Sequence, residues 1–244
     1  MRGTVFDERL QRFVALTEGE TAALAAMDMQ LRRFRRGALI RREHETASHI
    51  FILRQGWAYG FTLLSDGSRQ ILKLYMTGDT IGMAGAGFAL ATETLVALTD
   101  VVVAMFDRAA LRPLFEAHPR LAALLFVQGE VEKGMLTDRL ASLGRQPARS
   151  RVAALLLDVA IRLRTVEPWT GATFTLPMTQ EEIGDMIGLT AVHVNRMMRV
   201  LESDGLIART GHKVTLLDEA RLSVIANHVD RWARLDIGWL PDGR

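Results

Sequence analysis

The sequence predicts an α+β fold in which an amino-terminal antiparallel β-roll is followed by a long helix and a carboxy-terminal winged helix-turn-helix. Three observations predict it. Short alternating apolar runs separated by turn residues fill positions 31–106. A discontinuous apolar stripe of helical period runs from His118-Pro119 to about Leu143. A capping box then opens a pair of short helices joined through Gly188.

With 244 residues the chain has room for two modules, each burying its own core. Hydrophobic residues make up 49% and charged residues 24%, with 6 Pro, which excludes a disordered or fibrous chain. No apolar run approaches the ~18 residues of a membrane span. Asp7 and Glu8 stand where a signal peptide would be apolar, so a cytoplasmic protein with no membrane partner is expected. The absence of Cys removes disulfides, thiolate nucleophiles, Cys-based zinc sites and self-ligated iron–sulfur clusters. The net charge of +2 is the difference between 30 Lys+Arg and 28 Asp+Glu, so a polyanion partner must be met by a local cluster of cations.

Between Asp7 and about Met29, the residues Leu10, Phe13, Val14, Leu24 and Met27 recur at helical spacings. Strand-like runs follow, such as Ile50-Phe51-Ile52-Leu53 and Ile71-Leu72-Lys73-Leu74, punctuated at Gly37, Gly56, Asp66-Gly67 and Gly78-Asp79. Asp66-Gly67 is the strongest hairpin signal. The arginines at 32, 33, 35, 36, 41 and 42 read as solvated strand edges. After Asp107, Leu111, Leu114 and Phe115 form a short helix, and Pro119 opens the long one. Its stripe is interrupted by Gln128, Glu132 and Asp138, and it can pack inward or against a second chain. The candidate dimer contacts are Leu121, Leu125, Gln128, Val131, Glu132, Met135 and Asp138. Gly144-Arg145-Gln146-Pro147 breaks the helix, and a new one is expected from Arg151 to Leu163.

Thr179-Gln180-Glu181-Glu182 is a capping box, followed by an apolar face of Ile183, Met186 and Ile187 and a stop at Gly188. Thr190 caps a second helix to about Ser203, with Val194, Met197, Met198 and Leu201 inward and Gly205 closing it. Two short helices around one Gly-containing turn make a helix-turn-helix. A hairpin around Thr210-Gly211-His212 supplies a wing, and a last helix from Asp218 turns Leu222, Ile225, Val229 and Trp232 inward.

With these pieces in order, residues 8 to 220 resemble the cyclic-AMP receptor protein/FNR (Crp/Fnr) superfamily of bacterial transcription regulators. The turns at Gly37, Gly56, Asp66-Gly67, Gly78-Asp79 and Gly82, the length of the His118-Pro119 helix, and Leu176 to Ile207 carry the match. The resemblance implies four segments: a cyclic-nucleotide-binding-like sensor roll (1–116), a dimerisation helix and hinge (117–146), a DNA-binding winged helix-turn-helix (147–220), and a terminal helix and tail (221–244). It also implies a homodimer on a pseudo-palindromic stretch of double-stranded DNA, with RNA polymerase as a further partner.

In a helix-turn-helix the second helix enters the major groove, so Ala191, Val192, Asn195 and Arg196 are the candidate base readers. Arg196 matches the family's recognition-helix Arg, whereas Val192 stands where a base-reading Glu is usual. Thr179, Thr190, His193, Arg199, Arg209 and Lys213 are candidate backbone contacts. In the roll, the family's ribose-holding Glu and phosphate-holding Arg-Ser fall on Met83 and on Ala91-Thr92, so cyclic AMP is not expected to bind. Met83, Phe88, Ala91 and Thr92 are the candidate effector pocket, and an apolar effector, haem through His44, His49 or His118, or no effector at all fits this replacement. No cofactor or metal is expected. Two other readings stand beside this one. A cupin-like metal enzyme meets the objection that His44, Glu45 and His49 lack His-x-His spacing, and a structural dimer with a decayed DNA module meets the retained Arg196 and capping box.

Overall fold

Alternation sorts the side chains of the roll strands onto two faces, and one strand shows both faces covered. In β3 (His49–Gln55), Ile50 and Ile52 point to one hydrophobic cluster while Phe51 and Leu53 point to another, and all four are buried. The computed structural model describes residues 5–11, 13–27, 30–83, 85–166, 171–231 and 235–241. They fall into two units, Met1–Thr62 with Leu72–Glu132 and Leu235–Arg244, and Leu63–Ile71 with Lys133–Arg234. Among the described residues, no helix is long and apolar enough to cross a membrane.

The first unit holds β1 (Leu31–Phe34), β2 (Leu39–Arg41), β3, β4 (Ala58–Leu63), β5 (Arg69–Tyr75), β6 (Thr80–Ile81), β7 (Thr94–Ala97) and β8 (Val101–Asp107). The first sheet has the order β1-β8-β3-β6 and the second β2-β7-β4-β5. The registered pairs are antiparallel, as the sequence predicts, with Ile52 opposite Ala104 and Gly60 opposite Leu95. Leu53, Ala58, Tyr75, Ile81, Leu95, Val101 and Val103 pack between the sheets. The outer face of the first sheet carries α1 (Val5–Leu10), α2 (Glu18–Met27), α3 (Leu111–Ala117) and the start of α4 (Pro119–Arg145), with Phe6, Leu10, Leu24, Leu114, Leu121, Leu124 and Leu125 in one cluster. Two ion pairs are sealed beneath these helices, Arg9 with Asp79 and Arg120 with Glu20 at 3.0 Å. Leu240, in the tail that the sequence leaves unexplained, packs against the same cluster.

The second unit contains the rest of α4, α5 (Ala148–Val166), α6 (Gln180–Ile187), α7 (Ala191–Ser203), α8 (Glu219–Ala226) and the strands β9 (Thr173–Thr175), β10 (Ile207–Thr210) and β11 (Lys213–Leu216). β10 and β11 form the expected hairpin, and β9 adds a third strand against β11. α5 begins earlier than Arg151, because the Arg151 N–H already bonds the Pro147 carbonyl at 3.1 Å. α8 stops at Asn227, whose φ of 48° takes the left-handed cap that Asn tolerates, so Val229 lies beyond it and Trp232 lies outside the described residues. The β4–β5 hairpin tip belongs to this unit. Arg69 grips Asp185 of α6 through two nitrogens at 2.7 Å, and the Gln70 amide donates to the Asp185 carbonyl at 2.6 Å. Arg139 of α4 donates to the carbonyls of Ile71 at 2.7 Å and Met186 at 2.5 Å, and its burial lowers its pKa to about 10.

Candidate nucleic-acid interface

Local chemistry sets the two helices of the motif. The Thr179 hydroxyl accepts from the Glu182 N–H at 3.1 Å and the Glu182 carboxylate accepts from the Thr179 N–H at 2.7 Å, so the box closes in both directions. Gly188 ends α6 with a φ of 66°, and Arg151 donates to the carbonyls of Ile187 at 2.9 Å and Gly188 at 3.3 Å, satisfying acceptors that the helix end leaves free. Thr190 then caps α7 by accepting from the His193 N–H at 3.2 Å. Ile183, Met186, Ile187, Val194, Met198 and Leu201 are buried and Met197 is half-buried. Gly184, a position that the sequence reading passed over, closes the turn: a Cβ there would lie 2.3 Å from the Leu189 carbonyl oxygen.

The opposite side of α7 faces outward. Val192 is 81% exposed, Arg196 and Arg199 are exposed, and Ala191, His193 and Asn195 are half-buried. The Arg196 guanidinium donates to His193 Nε2 at 2.9 Å, which requires the imidazole to accept there and aims the arginine along the helix. Lys213 is exposed on the wing. Arg209 is half-buried and donates to Glu202 at 2.6 Å, so it ties the wing to the recognition helix.

That hydrogen bond from Arg209, with the charges of Arg209 and Arg199, holds the Glu202 carboxyl below its ordinary pKa of 4.5. The folded protein therefore binds this proton less tightly than the unfolded chain. The pair's contribution is complete above the ordinary value and is lost as pH falls through the lowered one. We expect Glu202→Gln to be less stable than the parent protein in urea at neutral pH, and the gap to close on acidification as the pH falls below the ordinary carboxylate value and through the lowered one. A gap independent of pH would remove the ion pair as its cause.

Elsewhere the predicted site residues separate. On α4, Leu121, Leu125, Val131 and Gln128 are buried within the chain, Met135 is half-buried, Glu132 pairs with Lys73 at 2.6 Å, and Asp138 pairs with Arg231 at 2.6 and 2.7 Å. The large exposed apolar side chains of this helix are instead Phe126, Leu136 and Leu140. In the roll, Met83 packs on the helix-side cluster, Phe88 is 58% exposed, Ala91 is buried and Thr92 is exposed. His44 sits in an exposed turn, His49 bonds Ser48 at 2.9 Å, and His118 joins α3 to α4. The polar residues that do come together in the roll, Lys73, Tyr75 and Glu93, were not singled out from the sequence. Their one signal is a charged residue, Glu93, at the head of an otherwise apolar alternating run.

Residues 150–225 match the Crp-like helix-turn-helix domain and residues 31–118 match the cyclic nucleotide-binding domain. The chain is 32% identical over 185 residues to the transcriptional activatory protein AadR of Rhodopseudomonas palustris, covering 75% of this chain and 76% of that one. The chain belongs to the Crp/Fnr family. A second Crp/Fnr relative is the nitrogen fixation regulation protein FixK of Bradyrhizobium diazoefficiens, 31% identical over 193 residues, 79% of this chain and 80% of that one. The solved structure of FixK2 from Bradyrhizobium japonicum superposes with a TM-score of 0.75 at 27% identity, covering 82% of this chain and 98% of FixK2. Like its Crp/Fnr relatives, the protein is a DNA-binding transcription regulator and not an enzyme. Crp/Fnr regulators bind DNA and function as dimers.

Proposed function

We propose that two copies of this chain pair along α4 and together read a pseudo-palindromic site on double-stranded DNA, with no cyclic nucleotide, haem or other cofactor, and act from there on RNA polymerase. The observation that carries the reading is the outward row of α7, Val192, Arg196 and Arg199, on a helix whose start is capped by Thr190. The amino-terminal end of α7 enters the major groove. Arg196 donates two hydrogen bonds to guanine O6 and N7, the Val192 methyls meet a thymine methyl, and Asn195 is placed for adenine. Arg199, Lys213 and the amino ends of α6 and α7 hold phosphates and set the register.

Phe126, Leu136 and Leu140 are 61%, 46% and 71% exposed, and they fall on the two rows of one heptad seam, Phe126-Lys133-Leu140 and Gly129-Leu136-Leu143. This seam, rather than the buried stripe through Leu121 and Leu125, is the surface that pairs two chains. Against a cyclic nucleotide stand the missing cation at Ala91-Thr92 and the buried carboxylate of Glu93, which repels a phosphate.

Selection of bound sequences from random DNA by the purified protein is expected to return an inverted repeat with half-sites ~34 Å apart, unchanged by added cyclic AMP. A single unrepeated half-site would count against the paired reading. In the same assay Arg196→Ala should lose ~1–3 kcal/mol of preference at one guanine per half-site while keeping its non-specific affinity. Equal weakening on all sequences would sink the base-reading role.

A further inference from the structure

Glu93 is 8% exposed and lies directly before β7, inside the roll. The Tyr75 hydroxyl donates to its Oε1 at 2.5 Å, and Tyr75 is itself 4% exposed. Lys73 stands 4.6 Å above the Tyr75 ring and reaches Glu132 of α4 at 2.6 Å. Burial raises the pKa of the Glu93 carboxyl, and the Tyr75 hydrogen bond and the charges of Lys73 and Arg41 pull it back, so both cations act on this one carboxylate. The seat is built for it. Gly60 lies within β4, where glycine weakens a strand unless something must approach closely, and a Cβ at 60 would fall 1.6 Å from Glu93 Oε2.

We propose that Glu93 is a tethered ligand of the roll: its carboxylate fills the interior site served by Tyr75, Lys73 and Arg41, in place of a diffusible anionic effector, and holds Lys73 on α4. The covalent tether makes the occupied state permanent. Vacated by truncation, the site should accept a small monocarboxylate, because the hydroxyl and both cations remain and Gly60 leaves the room open. The link to α4 means that occupancy supports the helix on which the dimer seam lies. The consequence for DNA rests on the function proposed above; the carboxylate site itself does not.

The test is Glu93→Ala in the full chain, followed first by thermal unfolding without DNA. Truncation is expected to lower the melting temperature by about 5 °C or more, because the buried Tyr75 hydroxyl loses its acceptor and the half-buried Lys73 and Arg41 lose a neighbouring negative charge. Acetate or propionate at tens of millimolar should restore much of it, and chloride at equal ionic strength should not. Affinity for the selected DNA site should fall by about tenfold and recover with the same carboxylates. Gly60→Ala, which evicts the side chain while blocking its seat, should show the same losses without rescue. A Glu93→Ala protein that melts and binds DNA like the parent overturns the proposal, as does a rescue that chloride matches. If Glu93→Ala does not fold, Glu93→Gln decides: it keeps the volume and an acceptor for Tyr75 but not the charge, so parental melting overturns the proposal and a loss supports it. Should the parent protein bind no DNA at all, the proposed function fails while the melting arms still judge the carboxylate.

Discussion

Gly184→Ala is expected to unfold or loosen the helix-turn-helix and to abolish sequence-specific DNA binding, by about a hundredfold or more at the selected site. Two effects oppose each other. Within a helix Ala is favoured over Gly by about 1 kcal/mol. The new Cβ, however, would sit 2.3 Å from the Leu189 carbonyl oxygen and 3.3 Å from its carbon. The obstacle is backbone, held by the Leu189 N–H bonding back to the Gly184 carbonyl at 3.0 Å, so no side chain can swing aside. Overpacking of about 1–3 kcal/mol or more therefore wins. Gly188→Ala makes the control: its φ of 66° costs about 1 kcal/mol, and its nearest neighbour is the Arg151 guanidinium at 3.3 Å, the end of a flexible side chain. Melting and DNA titration of both variants check the order. A Gly184→Ala protein as stable as Gly188→Ala would show that the turn can open without cost.

Leu136→Glu combined with Leu140→Glu is expected to turn the dimer into a folded monomer and to weaken DNA binding by about two orders of magnitude. The two side chains are 46% and 71% exposed on a single chain, so charging them costs the monomer little. At the seam, each glutamate would meet its own copy across the two-fold axis and lose water without gaining a partner, at several kcal/mol for each buried charge. A monomer reads one half-site and forfeits the second set of phosphate contacts, and each 1.4 kcal/mol forfeited is tenfold in affinity. Sedimentation at micromolar concentration and DNA titration measure the two losses. A double variant that stays dimeric would move the seam elsewhere, whereas Leu121→Glu, buried in the chain's own core, should unfold the first unit instead.

The winged module was legible because its signals are local. Thr179 with Glu182, and Thr190 with His193, act over three residues, and the apolar spacing of α6 and α7 needs no partner to be read. Harder cases were those in which two chemically similar answers share one element. α4 carries two apolar stripes, one through Leu121 and Leu125 and one through Phe126 and Leu140, and only packing decides that the first is covered by its own sheet. Arg209 reads from the sequence only as a cation on the wing, and its bond to Glu202, seven residues earlier, becomes visible only in the folded chain. Glu93 depends on Gly60, 33 positions away on a neighbouring strand, and spacing along the chain gives no hint of that pairing.

The hairpin tip gripped by Asp185 has a consequence for how such proteins can be recombined. The DNA-reading unit is assembled from two separate stretches of chain, residues 63–71 and 133–234, and Arg69, Gln70 and the Ile71 carbonyl come from the shorter one. A chimera that joins residues 133–234 to a different roll would lose the bonds of Arg69 and Gln70 to Asp185 and that of Arg139 to the Ile71 carbonyl, so the genetic module is larger than the contiguous segment suggests. Grafts that also transplant the nine-residue tip should inherit a complete lock; those cut at α4 alone inherit half of one.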